Sequence, residues 1–240
     1  MRSIDATLHR AALIVVAASV LGPGWVFADA ALRHPAPWTD AATWSAGYRW
    51  FMAVPPLLGF PLLYGFVLFV AGARRLDEQR GGRVDPVPVL LLTAIYGALV
   101  AFNYIANACY VGQASPSDLG AVSTLSMANP RSLCWAIELF AYGVLGMVTW
   151  MVAPTFREER TVALLLRTNG VVSVACAAVA LFDLTWVQRP VGLAFYAAWN
   201  LLIIVLMVVV ARNFRPAPGG ARTTSSQAAR EVMPGSGGKA

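Results

Sequence analysis

One acid stands apart from the other charged residues of this chain. Glu138 is the only acid well inside an apolar stretch, and no arginine lies within a helical turn of it. A carboxyl in that setting can gain or lose a proton, which suits proton coupling or general acid–base chemistry. Other polar residues repeat at helical spacing around it. Tyr96, Asn103, Asn107 and Tyr110 are separated by seven, four and three residues, which places them on one helix face. Ser132, Trp135, Glu138, Tyr142 and Thr149 share a face by the same rule. Asn169, Ser173, Cys176, Ala180 and Asp183 step by four, three, four and three, and Asn200 adds a polar group further on.

Two kinds of chemistry fit these stripes. In the first, Glu138 is a proton-sensitive group in a ligand site completed by Asn103, Asn107, Trp135, Tyr142 and Asp183. In the second, Glu138 and Asp183 act as acid and base on a lipid-soluble substrate. A purely structural role is the alternative for each. Asparagine amides are common glue between membrane helices, a buried Glu bonded to Asn or Tyr locks packing, and Asp183 suits a headgroup layer.

The elements that carry these residues cross a membrane. The 240 residues are 58% hydrophobic and only 12% charged, about half the charge of a soluble domain. Six apolar stretches, near 11–32, 50–72, 87–110, 132–153, 164–187 and 190–211, reach the roughly 20 residues that a helical span requires. Each must be helical, because an isolated strand leaves backbone groups unpaired in lipid. The expected fold is an all-α membrane protein, a bundle of about six transmembrane helices with both termini cytoplasmic. Residues 1–10 form a cytoplasmic start, 11–211 the transmembrane domain and 212–240 a Ser- and Gly-rich disordered tail.

Arginine counts set the orientation. Of the 18 basic residues, 14 fall on the side that holds the termini and the 2–3 and 4–5 connections, against four on the other. The first side is therefore cytoplasmic, and the location is a bacterial inner membrane. Arg167 lies a turn inside its stretch and snorkels back to the interface. With about 1.5 Å per residue, Glu138, Asp183, Asn103 and Asn107 sit roughly 9, 6, 10 and 5 Å inside the outer ends of their helices. They share one layer, which suggests an outward-facing polar pocket.

Several segments carry secondary expectations. Arg10, the Gly22-Pro23-Gly24 break and Ala28-Asp29-Ala30 also fit a cleaved signal peptide, which would leave five helices. Pro55, Pro56 and Pro61 predict a kink in the outer half of the second helix. Trp38, Trp44, Trp50, Trp135 and Trp186 read mainly as an aromatic belt. Cys109 and Cys134 lie at the outer helix ends, as free thiols or, alternatively, as a bridge across 111–131. Ser132 is placed to cap the fourth helix.

Other chemistries are disfavoured. The only histidines are His9 and His34, neither placed in a helix core, so neither a two-histidine haem nor a histidine metal site is expected. The single lysine, Lys239, lies in the tail, so no retinal-type Schiff base can form. P-loop, H-E-x-x-H, G-x-S-x-G and C-x-x-C patterns are missing. The basic residues cluster at helix ends rather than in one patch, which argues against nucleic acid. No cofactor or metal is expected, and the lipid bilayer is the partner the composition demands. A small molecule or proton is the expected ligand, with an accessory role in a membrane complex as a third reading.

Asn129-Pro130, Trp135-Ala136-Ile137-Glu138, Tyr142, Gly146 and Pro154-x-Phe156 together resemble a pattern in small multi-pass bacterial inner-membrane proteins of unknown function. The resemblance spans roughly residues 103–185. It implies a six-helix membrane fold and no particular activity.

Overall fold

A computed structural model of the chain describes residues 4–33, 38–114 and 116–216. Six helices among them are long and apolar enough to cross a membrane. They are α1 (Ile4–Arg33), α2 (Val54–Gln79), α3 (Pro86–Ile105), α4 (Leu133–Val152), α5 (Arg160–Ala180) and α6 (Pro190–Asn213). The described residues contain no strand. The fold is thus an all-α bundle of six helices, the architecture of a multi-pass membrane protein.

Each helix packs against the next in sequence, and α6 closes the ring on α1. Helices α1 and α6 also meet at the arginine-rich end, where His9 Nδ1 lies 2.8 Å from the Ala211 carbonyl. Residues 4–10, expected as a separate segment, belong instead to α1, so His9 sits inside a helix. Leu8, Ala11, Ala12 and Val15 explain the extension. They recur at helical spacing, are fully buried, and face the α2 glycines Gly65 and Gly72. The tail beyond residue 216, the first three residues and His34 lie outside the described residues.

Local chemistry sets the helix starts. Asp85 caps α3, its Oδ1 accepting from the Val87 amide at 2.9 Å, and Pro86 occupies the first turn. Ser132 caps α4 as expected, its Oγ accepting from the Trp135 amide at 3.2 Å. Pro55 and Pro56 begin α2 after a 3-10 turn at Trp50–Ala53. A first turn needs no amide donor there, so these two start the helix rather than bend it. Only Pro61 lies in its interior.

Helices α4 and α5 approach each other closely. A Cβ on Gly146 would lie 2.6 Å from Ser173 Cβ, and one on Gly170 would lie 2.9 Å from the Gly146 carbonyl oxygen. Small residues let the backbones meet in lipid, where packing rather than hydrophobicity drives association. This contact fixes which faces of α4 and α5 oppose each other, and so where Glu138 points.

The arginine-rich end is a dense lock. Arg80 donates from Nη1 and Nη2 to the two carboxylate oxygens of Glu159, at 2.8 and 2.7 Å, and to the Thr155 carbonyl at 2.9 Å. The Asp77 carboxylate accepts from the Val84 amide at 3.0 Å and the Thr155 hydroxyl at 3.4 Å. Beneath them Phe156 is fully buried, stacked on Phe69 with centroids 5.7 Å apart. These contacts tie the 80–85 connection to the 153–159 connection.

Candidate functional site

Glu138 is the sixth residue of α4 and is buried. Its carboxylate is held from α3 on two sides. Asn103 Nδ2 donates to Oε2 at 2.9 Å and to the Cys134 carbonyl at 2.8 Å. The Tyr104 hydroxyl donates to Oε1 at 3.1 Å. The Tyr142 hydroxyl lies 3.1 Å from that of Tyr104. A hydroxyl has one hydrogen, so with that of Tyr104 committed to Glu138, Tyr142 is the donor to Tyr104. The result is a chain from Tyr142 through Tyr104 to the carboxylate.

Tyr142 and Glu138 both line a cavity of about 70 Å³ between α4, α5 and α6. That is space for several waters or a small organic group. Its wall is dominated by rings: Trp135, Tyr142, Trp186, Phe195, Tyr196 and Trp199. Several meet at steep angles. Tyr142 and Trp199 are 4.8 Å apart and inclined at 72°, and Trp186 and Phe195 are 5.6 Å apart at 67°. The expected pocket was polar, whereas this one is aromatic with a carboxylate in its wall.

Asn103 and Asn107 stand behind the wall rather than in it. Asn103 holds Glu138. Asn107 anchors the loop between α3 and α4, its Oδ1 accepting from the Met127 amide at 2.8 Å, and its Nδ2 donates to the Asn103 carbonyl at 2.9 Å. The Met127 carbonyl in turn accepts from the Trp135 indole at 2.6 Å. Met127, which lines the cavity, is thereby pinned through both its backbone groups. Tyr110 leaves the shared face: the turn at Ala106–Tyr110 is a π-turn, whose extra residue rotates Tyr110 outward to 45% exposure.

Asp183 is corrected. Helix α5 ends at Ala180, not near 187, and Asp183 begins a 3-10 turn at Leu184–Gln188. Its carboxylate accepts from the Thr185 amide and hydroxyl at 3.1 and 2.8 Å and pairs with Arg189 at 2.7 Å. Those hydrogen bonds, with Arg189 beside them, hold its carboxyl below the usual range. It is not among the cavity-lining residues. The helical step that placed it on the α5 face stops where the helix stops, and its carboxylate is turned to Thr185 and Arg189.

Two contributors escaped the stripe reading. Tyr104 is one residue, about 100°, round the helix from Asn103. A tyrosine hydroxyl inside an apolar span needs a partner, which was the available signal. Trp199 points inward where Asn200 was expected. Its indole donates to Asn169 Oδ1 at 3.0 Å and Ser173 Oγ at 2.9 Å, while Asn200 bonds back to the Tyr196 carbonyl. Asn169 also donates to Thr149 at 3.1 Å, completing a buried lattice below the cavity.

The tryptophans are only partly a belt. Trp135 and Trp186 line the cavity. Trp38 and Trp44 pack over Ala41, Val111 and Val122, joining the short helices Ala41–Gly47 and Leu119–Leu125 into a cap over the end of the bundle opposite the arginines. Trp50 is 77% exposed. The cysteines are free thiols, Cys109 exposed and Cys134 buried. Among the described residues, no three His, Cys, Asp or Glu side chains are grouped to hold a metal ion. No protein-family model matches the chain, and neither a curated protein nor a solved structure does.

Proposed function

We propose that this is a bacterial inner-membrane protein, its arginine-rich end in the cytoplasm, that binds or carries a small ligand or ion at the Glu138 cavity. The observation that carries this reading is the placing of one buried carboxylate in the wall of an aromatic cavity, with a hydroxyl chain running to it. Convergent polar groups in a mostly apolar concavity are the usual form of a small-molecule site.

The experiment is a titration of the full chain in lipid nanodiscs, read by the fluorescence of the cavity tryptophans. Small organic cations, anions and neutral solutes are added in turn. At least one class gives a saturable change, and Glu138→Gln weakens that binding by about tenfold, the loss of a charge-assisted contact. A flat response to all three classes, or equal affinity in the variant, refutes the reading. For orientation, a green fluorescent protein fused at the C-terminus fluoresces if that end is cytoplasmic; a dark fusion reverses the assignment.

A further inference from the structure

Resting on that reading, we infer that the ligand is an organic ammonium ion, held by the aromatic walls and Glu138 together. Six of the cavity-lining residues are aromatic, and no Arg or Lys is among them. Ring faces carry negative potential and attract a cation within about 6 Å of their centres. The inclined pairs, Tyr142 with Trp199 and Trp186 with Phe195, wall the space from different directions instead of forming one stack. Glu138 is the only acid in the wall, so the site offers a single counter-charge.

The competing ligand classes fit less well. An anion would meet Glu138 and find no cationic side chain; Arg189, the nearest arginine in sequence to Trp186, is engaged by Asp183. Calcium or magnesium needs about six oxygen ligands, against one carboxylate and the hydroxyls of Tyr142, Ser173 and Tyr196. A neutral apolar solute would leave the carboxylate without a role. An alkylammonium group satisfies both components, its methyl or methylene surface against the rings and its charge against Glu138.

The ammonium could belong to a free solute or to a lipid headgroup. Choline is the probe, and 3,3-dimethylbutan-1-ol, the same shape without charge, is its control. In phosphatidylglycerol nanodiscs, choline binds saturably and at least about tenfold more tightly than the neutral isostere, the upper range of a desolvated cation–π site. Phe195→Leu, which keeps every tryptophan, weakens choline by about three- to tenfold and leaves the isostere within about twofold. A weaker response to choline in phosphatidylcholine nanodiscs identifies the headgroup as an occupant, and an unchanged one identifies the free solute. Equal binding of choline and its isostere overturns the inference, as does stronger binding of 3,3-dimethylbutanoate. In either of those cases a small-ligand site survives; a flat response to all three probes removes both. The wild-type comparison and Phe195→Leu decide the matter even if Glu138→Gln does not fold.

Discussion

The two ends of the bundle differ in how they hold buried charge. At the arginine-rich end, Arg80 meets both oxygens of Glu159 and a backbone carbonyl, and Asp77 meets an amide and a hydroxyl. The charges of Arg80 and Glu159 cancel there, Asp77 is held by neutral donors beside a smaller cavity of about 20 Å³, and the rings of Phe69, Phe156 and Phe214 pack together below. At the other end, Glu138 has neutral hydrogen-bond donors, no cationic partner, and a cavity alongside. Two nearby polar atoms are buried without a partner, Asn103 Oδ1 and the Tyr96 hydroxyl. A matched ion pair holds two connections together. A carboxylate left uncompensated beside a void is an arrangement that a ligand could complete, and it costs stability until one does.

The contrast breaks most readily at the lock. Arg80→Ala strands Glu159 and frees the 80–85 connection from the 153–159 connection. Both partners are largely covered, with side-chain exposures of 16% and 18%, so the loss should be about 3 kcal/mol. Equilibrium unfolding in mixed micelles measures it, and the ligand affinity of the surviving folded fraction should stay within about twofold.

Gly59→Val tests the support behind the site. Any Cβ at Gly59 would overlap the Tyr104 ring. The ring must tilt away, at a cost of about 1–3 kcal/mol, and its hydroxyl is drawn off Glu138. Ligand affinity should fall along with stability, unlike for Arg80→Ala. A variant that loses stability but binds normally would show that Tyr104 is dispensable.

Acid separates the ends more gently. The Arg80 hydrogen bond, reinforced by its charge, holds Glu159 below its ordinary value of 4.5. A depressed folded value means the pair contributes fully above 4.5 and loses its contribution as pH falls through the lower, folded value. Thermal stability should therefore drop between about pH 5 and 3. Glu159→Gln should start lower at neutral pH and lose less over that interval.

Glu138→Gln should move stability by only about 1 kcal/mol in either direction, because glutamine's carbonyl keeps one of the two α3 donors and removal of the uncompensated charge offsets the loss of the other. Its effect belongs to ligand affinity. Asp183→Asn should have the smallest effect. The carboxylate pairs with an arginine 65% exposed, and exposed ion pairs contribute little. Ligand titration curves that overlay those of the wild type are the expected result; a tenfold loss would bring Asp183 back into the site.

Much of the fold was legible because membrane spans are written in hydropathy. Even so, α1 begins seven residues earlier than its apolar run, because Leu8 has a place against Gly72. The site was legible in part. Trp135, Glu138 and Tyr142 stay together because one helix face keeps its own residues together whatever it packs against, and Asn103 meets Glu138 because α3 packs on α4. Asp183 failed where the periodic rule outran the helix. Tyr110 failed where a π-turn inserted an extra residue. The replacement of Asn200 by Trp199 is a rotation of one residue, which polarity alone misjudges: a tryptophan fills a bundle interior and its indole finds Asn169 and Ser173 there.

By itself, the amino-acid sequence determined that six apolar segments cross a membrane, that arginine is gathered at one end, and that Glu138 sits among inward-facing polar residues. Those properties are local, since hydropathy and helical period refer each residue only to its own segment and axis. Tertiary structure alone decided that the wall beside Glu138 is aromatic, that Tyr104 reaches it, and that the asparagines stand behind it. Those depend on which helices are neighbours and how each is turned, which close contacts such as Gly146 against Gly170 set across more than 20 residues of chain.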